Sequence, residues 1–426
     1  MVFLTKTKWE KGYYLTEIRI KYMENQNEGF ESICIKDIIG DNLHAHVPPI
    51  YATSTFAYKD LDKAMAYFKG ESQGYMYSRL GNPSTQMVAD KLAKLEAYGI
   101  EDENGKPLIA YGQLFASGMG AIAAATVGLL KSGDKIITQG NLYGTTNELF
   151  TSLLADYGIE TVLFNLKDLE HLENTILNDE TIQMIYIETP ANPTLECFDL
   201  EAIAIIAQNM GIKTVVDNTF ATPYLQQPLK YGIDLVVHSS TKYLNGHGTG
   251  ISGVVIGKDS KLVNGKVKNI QKMFGACASP FEAYLLNNGL KTLTLRMDKH
   301  CENSEKLAYF LKNHEKVSFV NYLGDKEHAD HLLAKDQMKK FGGMLSFEII
   351  GGIEKAVQFL RNIKFCTVTA SLGTPDTLVS HPASMSHANM DKNQRLDYGI
   401  SDGLIRVSVG LENIEDIVAD FEQALE

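Results

Sequence analysis

Cysteine is scarce here, with five in 426 residues. Cys34, Cys197, Cys277, Cys301 and Cys366 are scattered, odd in number and free of any CxxC spacing. That argues against a disulfide framework and a cysteine zinc site, and it fits a reducing cytoplasm. Basic charge is outnumbered, 40 Lys and Arg against 52 Asp and Glu for a net −12, and no basic stripe interrupts the chain. Nucleic acid is therefore not the expected partner. Long apolar runs are also missing: "AIAAATVGLL", the longest, has ten residues and stops at Lys131. That is too short to cross a bilayer, so no membrane partner is expected. The opening "MVFLTKTKWEKGYYLTEIRIKYMENQ" has no apolar core followed by a small-residue cleavage site, which argues against a secretory signal. It reads as an extension or as an upstream start, with Met23 as the initiator. His44 and His46, and His381 and His387, have no matching set of carboxylates, so no metal site is expected.

What the chain does contain is an ordinary globular balance, 44% apolar and 22% charged residues. At this length two domains and an arm are the natural division. Residues 1–82 carry turn signals but little periodicity, as in "HVPPIYATSTF" and "GYMYSRLGNPST", and read as an extended N-terminal arm. From Thr85 "QMVADKLAKLEAY" has helical spacing with polar faces. The polar insert that follows, "GIEDENGKPLIAYGQ" at about 99–112, reads as a surface loop. Between 108 and 257 the short runs "KIITQG", "ETVLFN", "QMIYIETP", "KTVVDNT", "DLVVHSS" and "GVVIG" alternate with helical stretches. Doubly buried strands alternating with helices predict a mostly parallel α/β sheet in a large domain, 83–290. From Phe281 long helices take over, then "GGMLSFEII", a helix near 353–362 and "LIRVSVGLENIEDIVADFEQAL", predicting a smaller α+β domain over 291–426.

Ligands of open parallel sheets bind beyond the carboxyl ends of the strands. That directs attention to Asn192, to Asp217 after "KTVV", and to Ser239, Thr241 and Lys242 after "DLVV". An isolated Asp there is more often a helix cap or an ion pair, and an isolated Lys is more often a surface residue. On neighbouring strands the two suit a pyridine ring that carries an aldehyde. The carboxylate keeps the ring nitrogen protonated, and the amine holds the aldehyde carbon as an imine. Imine formation also removes an ammonium whose pKa, near ~10.4 when unperturbed, would otherwise have to be displaced by burial. "FASGMGAIAAATVGLL" places Ser117-Gly118-Met119-Gly120 at the start of a helix, where free N–H groups and the dipole favour a phosphate. It is neither GxGxxG nor a GK[ST] loop, so a nucleotide is not implied. Tyr143, in "NLYGTT", is either plain packing or a ring stacked on the cofactor.

Taken together the motifs resemble the Cys/Met-metabolism, or trans-sulfuration, family of pyridoxal-phosphate enzymes. The elements appear in family order from "PPIYATSTF" onward: "YMYSRLGNPST", "FASGMGAI", "NLYGTT", "IETPANPT", "VVDNTFATP", "HSSTKYLNGHG", "ASLGTPDTLVSHPASMSH" and "LIRVSVGLE". The resemblance implies the fold-type I, aspartate-aminotransferase-like architecture, with pyridoxal 5'-phosphate as cofactor. It makes Lys242 the imine lysine, Asp217 the partner of the ring nitrogen, and Tyr143 the stacking ring and proton donor. Gly118, Met119, Ser239 and Thr241 would hold the phosphate, with Tyr77 and Arg79 reaching the site of a neighbouring subunit. Arg406 would clamp the substrate α-carboxylate with Asn192 and Ser371. A homo-oligomer, a pair of dimers, is implied.

The resemblance also frames the activity. The first expectation is a carbon–sulfur lyase that performs γ-elimination on L-methionine or a related sulfur amino acid, releasing 2-oxobutanoate, ammonia and a thiol. The alternative is a γ-replacement transferase of the O-acetylhomoserine sulfhydrylase or cystathionine γ-synthase type. Ala370 is apolar where cystathionine-cleaving members tend to carry an acid, which disfavours a cystathionine γ-lyase. Thr145 stands where methionine-cleaving members usually have a cysteine, and "GHGTGISG" is closer to the sulfhydrylases. A cofactor-binding scaffold without catalysis would lack the lysine, the acid or the clamp, and all three are present.

Overall fold

The computed structural model describes residues 22–23, 28–37, 45–58, 60–72, 74–388 and 390–426. The expectations for residues 1–21 and for His44 lie outside them. Seven strands form the first sheet: β1 (Tyr111–Phe115), β2 (Lys135–Thr138), β3 (Glu160–Leu163), β4 (Ile182–Glu188), β5 (Lys213–Asp217), β6 (Leu235–His238) and β7 (Gly253–Gly257). Their order is β1-β7-β6-β5-β4-β2-β3. Adjacent pairs from β6 to β3 are parallel, while β7 runs antiparallel to both neighbours. The sheet is thus mostly parallel, as its unbroken Val and Ile runs predict: such strands are apolar on both faces because helices cover both. Ile185, Val216 and Val236 belong to one buried cluster, under helices Pro83–Glu96 and Leu200–Asn209. Met184, Val215 and Val237 belong to another, under helix Gly118–Leu129.

A second sheet follows: β8 (Val317–Asn321), β9 (Met344–Ile349), β10 (Thr367–Val368), β11 (Leu378–Ser380) and β12 (Leu404–Ser408), in the order β10-β11-β12-β9-β8. Helices Leu293–Lys312, Gly352–Asn362 and Ile414–Leu425 lie in its vicinity, and Phe347, Phe359 and Phe421 meet in a third core. The helices expected near 353–362 and at the C-terminal end are present, as are strands at "MLSFEI" and "LIRVS". β8, β10 and β11 carry no strong apolar alternation and were not anticipated.

Two segments differ from the sequence reading. The insert is a loop only in its first part, where Glu101 bridges to Pro107. Tyr111, Gly112 and Gln113 already belong to β1, paired antiparallel with β7. Gly112 is needed there, because a Cβ would lie 2.4 Å from the Ala89 carbonyl oxygen. The second difference is in the arm. Residues 30–35 form a helix with Phe30, Ile33 and Cys34 buried against this chain's own core, so that part is packed rather than extended.

Helix Pro83–Glu96 explains why residues 28–37 dock here. Asn82 caps it by accepting the Ser84 N–H at 2.9 Å, and Pro83 opens its first turn. Every residue from Val88 to Glu96 is buried, charged ones included. Lys91 donates to Asp37 at 2.6 Å and to Asn287 at 2.8 Å, and Lys94 donates to Glu28 at 2.9 Å. Removing one member of a buried pair costs more than the pair itself contributes, because the survivor keeps its desolvation penalty. Asp37→Ala should therefore destabilise the protein by about 3–5 kcal/mol in urea denaturation. Glu302→Ala, which removes an exposed carboxylate from Lys299 and Lys306, should leave the midpoint unchanged.

Candidate active site

β4, β5 and β6 end in Glu188, Asp217 and His238. Register pairs Glu188 with Asp217, and Asp217 with Val237. Because side chains alternate along a strand, Glu188 and Asp217 share the face covered by helix Gly118–Leu129. Asp217 Oδ1 accepts the Thr219 N–H at 3.0 Å and the Thr219 hydroxyl, and Tyr186 donates to Oδ2 at 3.3 Å. Burial pushes the Asp217 pKa up, and the two Thr219 donors pull against that rise. The Thr219 hydroxyl also accepts the Ser239 N–H at 2.8 Å, tying the end of β6 to the carboxylate of β5.

Across from Asp217, Ser117 caps helix Gly118–Leu129 by accepting the Gly120 N–H at 3.0 Å. Gly118 has no substitute: a Cβ would stand 2.6 Å from the Ser239 Cβ. The small residue brings the helix start, with its unpaired first-turn amides, against Ser239. Thr241 lies nearby in sequence, and its hydroxyl donates to the Ser252 carbonyl at 3.1 Å. Met119 receives a contact from Thr146 on its sulfur at 3.8 Å. Gly118, Met119, Ser239 and Thr241 therefore lie in one region formed by a helix start and the β6 loop.

Lys242 is the least usual residue of the group. Its Nζ donates to the Ser371 hydroxyl at 2.9 Å, and among the described residues it makes no ion pair. Burial, reinforced by the positive charge of Arg406, lowers its pKa to about 8. Arg406, on β12, donates from Nη2 to the Ser371 carbonyl at 2.8 Å and from Nη1 to Asn192 Oδ1 at 3.1 Å. Its Nε is buried without a partner among the described residues, and burial lowers its pKa to about 10. Ser371 adopts φ +111°, a left-handed value that non-glycine residues rarely take. One chain of contacts thus runs from Lys242 through Ser371 to Arg406 and Asn192, joining the two sheets.

Tyr143 begins the short helix Gly144–Glu148, and its N–H donates to Glu188 Oε2 at 2.9 Å. Tyr77 and Arg79 are not brought to this group. Arg79 donates to the Lys272 carbonyl at 2.8 Å and lies over the Tyr77 ring at 5.5 Å. Sequence reasoning passed over Glu188, Thr219 and Tyr186. Glu188 was within reach of the rule that selected Asp217, since it too is a carboxylate closing an apolar strand.

These residues suit a phosphorylated pyridine aldehyde. A lysine amine whose pKa is lowered to about 8 can engage an aldehyde, a buried carboxylate can pair with a ring nitrogen, and a helix start kept open by Gly118 can take a phosphate. The orphaned Arg406 Nε offers a further donor for a carboxylate. Fold and site together define an α/β enzyme of the pyridoxal-phosphate class.

Comparison with known proteins narrows this class. The profile described as Cys/Met metabolism PLP-dependent enzyme matches residues 34–426, so the chain belongs to that family and pyridoxal phosphate is its cofactor. The L-methionine gamma-lyase of Fusobacterium nucleatum subsp. nucleatum is 43% identical over 406 residues, which is 95% of this chain and 100% of that protein. The cystathionine gamma-lyase of Bacillus subtilis is 42% identical over 378 residues, 89% of this chain and 93% of that protein. Among solved structures, metB from Corynebacterium glutamicum superimposes with a TM-score of 0.85 at 37% identity, covering 94% of this chain and 99% of that one.

The lowered pKa of Lys242 has a measurable consequence. Only the neutral amine can attack an aldehyde, so uptake of pyridoxal phosphate by cofactor-free protein should speed up as pH rises and level off above about 8. Below that it should slow roughly tenfold per unit. Stopped-flow absorbance between pH 6 and 10 measures this, and a midpoint near an ordinary lysine's value would contradict the buried setting.

Proposed function

We propose that this chain is a carbon–sulfur lyase that eliminates the γ-thiol of L-methionine or a close relative, yielding 2-oxobutanoate, ammonia and a thiol. The observation that carries the reading is the contact chain of Lys242, Ser371, Arg406 and Asn192, which holds an amine of lowered pKa and a guanidinium on one serine. The relatives named L-methionine gamma-lyase support it. So does Ala370, which offers no charge to the distal amine of a cystathionine.

When bound, pyridoxal phosphate supplies an aldehyde for amino groups and a ring that accepts electrons from the substrate's α-carbon. Gly118, Met119, Ser239 and Thr241 would hold its phosphate, and Asp217 would be the acid available to its ring nitrogen. Arg406 binds the substrate α-carboxylate, with Asn192 and Ser371 fixing the guanidinium. Lys242 Nζ would take the proton from Cα, hand it on, and only then, neutral again, take one from Cβ; an environment that keeps it from holding a proton too firmly suits both steps. Tyr143 would supply an aromatic ring beside the cofactor and, through its hydroxyl, a proton for the departing sulfur.

In the proposed assembly the chain divides into an arm, residues 1–82, a large domain, 83–290, and a smaller one, 291–426. The packed helix Phe30–Ile35 limits the reaching part of the arm to residues from about 45 onward. Tyr77 and Arg79 serve the phosphate of a neighbouring subunit, in a cytoplasmic pair of dimers. Within one subunit their side-chain contacts are with Lys272 and with each other rather than with Lys242's contact chain, which fits that role. Among the described residues no helix is long and apolar enough to cross a membrane.

Incubation with L-methionine alone should release 2-oxobutanoate and methanethiol. Silence until an O-acylated homoserine and sulfide are supplied would favour the γ-replacement transferase. Lys242→Ala should abolish both turnover and the visible absorbance of the bound cofactor. A separate experiment addresses the arm. Lys242→Ala and Arg79→Ala proteins, each inactive, should regain about a quarter of parental activity when unfolded and refolded together, since half of randomly formed dimers are hybrids with one intact site. A mixture that stays inactive would place Arg79 in its own subunit's site.

A further inference from the structure

Glu188 closes β4 and is 6% exposed. Its two oxygens each accept one backbone N–H: Oε2 from Tyr143 at 2.9 Å and Oε1 from Asn192 at 3.1 Å. Its own backbone is held in turn by Gln139, whose side chain accepts the Glu188 N–H at 3.1 Å and donates to its carbonyl at 2.6 Å. One side chain therefore joins two loops: the one after β2 carries Tyr143, and the one after β4 carries Asn192.

We propose that Glu188 is a positioning residue, setting Tyr143 relative to the Asn192–Arg406 clamp by accepting both N–H groups on one carboxylate. This rests on the reading above, in which Tyr143 serves the departing sulfur and Arg406 the α-carboxylate. A carboxylate suits the task because both of its oxygens accept and neither must donate. A carboxamide would turn a donor toward one of the two N–H groups. The short helix that Tyr143 opens has no side-chain cap, so the Glu188 bond ties its start to the sheet. Gly144 has no room to retreat, since a Cβ there would lie 2.6 Å from the Ser386 carbonyl oxygen. Burial and the neighbouring Asp217 raise the Glu188 pKa to about 8 against the pull of the two N–H bonds, whose placement on both oxygens is what favours the charged form. The charge of Glu188 and the placement of both loops thus depend on each other.

The test uses holoenzyme carrying Glu188→Gln or Glu188→Asp. Each is measured for cofactor content by visible absorbance, for kcat and KM with L-methionine, and for the Kd of the unreactive analogue L-norleucine by its effect on that absorbance. Glu188→Gln should keep its cofactor, lose about ten- to a hundredfold in kcat and bind norleucine about tenfold more weakly, the size of one charge-assisted hydrogen bond. Glu188→Asp retains the charge but is one methylene too short to reach both loops, so it should fall between the two. In a Tyr143→Phe background the kcat loss from Glu188→Gln should shrink to less than threefold. The proposal is overturned if Glu188→Gln stays within twofold of the parent, or if its kcat loss is undiminished in the Tyr143→Phe background. If Glu188→Gln cannot retain cofactor, parental kinetics and norleucine binding in Glu188→Asp overturn it equally. A parent that carries cofactor yet leaves methionine untouched refutes the methionine reading alone. Norleucine binding still tests Glu188 in that case.

Discussion

A half-buried lysine with no carboxylate partner among the described residues is the constraint around which the site is organised. Lys242 meets a serine hydroxyl and the positive charge of Arg406, and both its burial and that charge make an ammonium unfavourable. The acids that could have neutralised it, Glu188 and Asp217, stand at the ends of β4 and β5 and are engaged elsewhere. The positive and negative groups are held apart by the scaffold, so each keeps a raised potential for a ligand carrying the complementary charges. A family of enzymes that takes an aldehyde, a ring nitrogen and a phosphate at once needs such an arrangement.

The rest of the molecule treats buried charge in the opposite way. Lys91 and Lys94 are matched by Asp37 and Glu28, and Glu96 meets His238 at 2.6 Å beneath the sheet. Asn218, next to Asp217, donates to Glu96 at 3.3 Å and to the Gln226 carbonyl at 2.8 Å. This paired layer lies on the sheet face opposite Asp217, behind the strand ends that carry the site. Such polar contacts stiffen the support behind the strand ends, while in the crevice Arg406 Nε is left open among the described residues.

Legibility followed the range of the interactions. The core strands could be read because each is a short run of Val and Ile ending in a polar residue, a signal contained in a few neighbours. β1 was hidden: "AYGQLF" follows a polar loop, and its Gly112 is chosen for contact with Ala89 rather than for strand propensity. The helix Phe30–Ile35 was hidden because only its packing on the core, not periodicity, holds it. In the site, Asn192, Asp217 and Lys242 were found from their strand-end positions, and Arg406 and Ser371 only through a resemblance to a family. Glu188 escaped because its partners are backbone amides, which have no sequence signature.

By itself the sequence determined the alternation of strands and helices, the strand ends where chemistry could sit, and a glycine-rich helix start, since all of these follow from local spacing and residue type. Only the tertiary structure decided that β12 of one sheet would bring Arg406 to the Lys242 of another, 164 positions earlier by residue number. It alone set which carboxylates face the crevice and which are spent on buried lysines. The reason is physical: a side chain's pKa and its free hydrogen-bonding capacity are properties of its surroundings in space, and those surroundings are assembled from residues far apart along the chain.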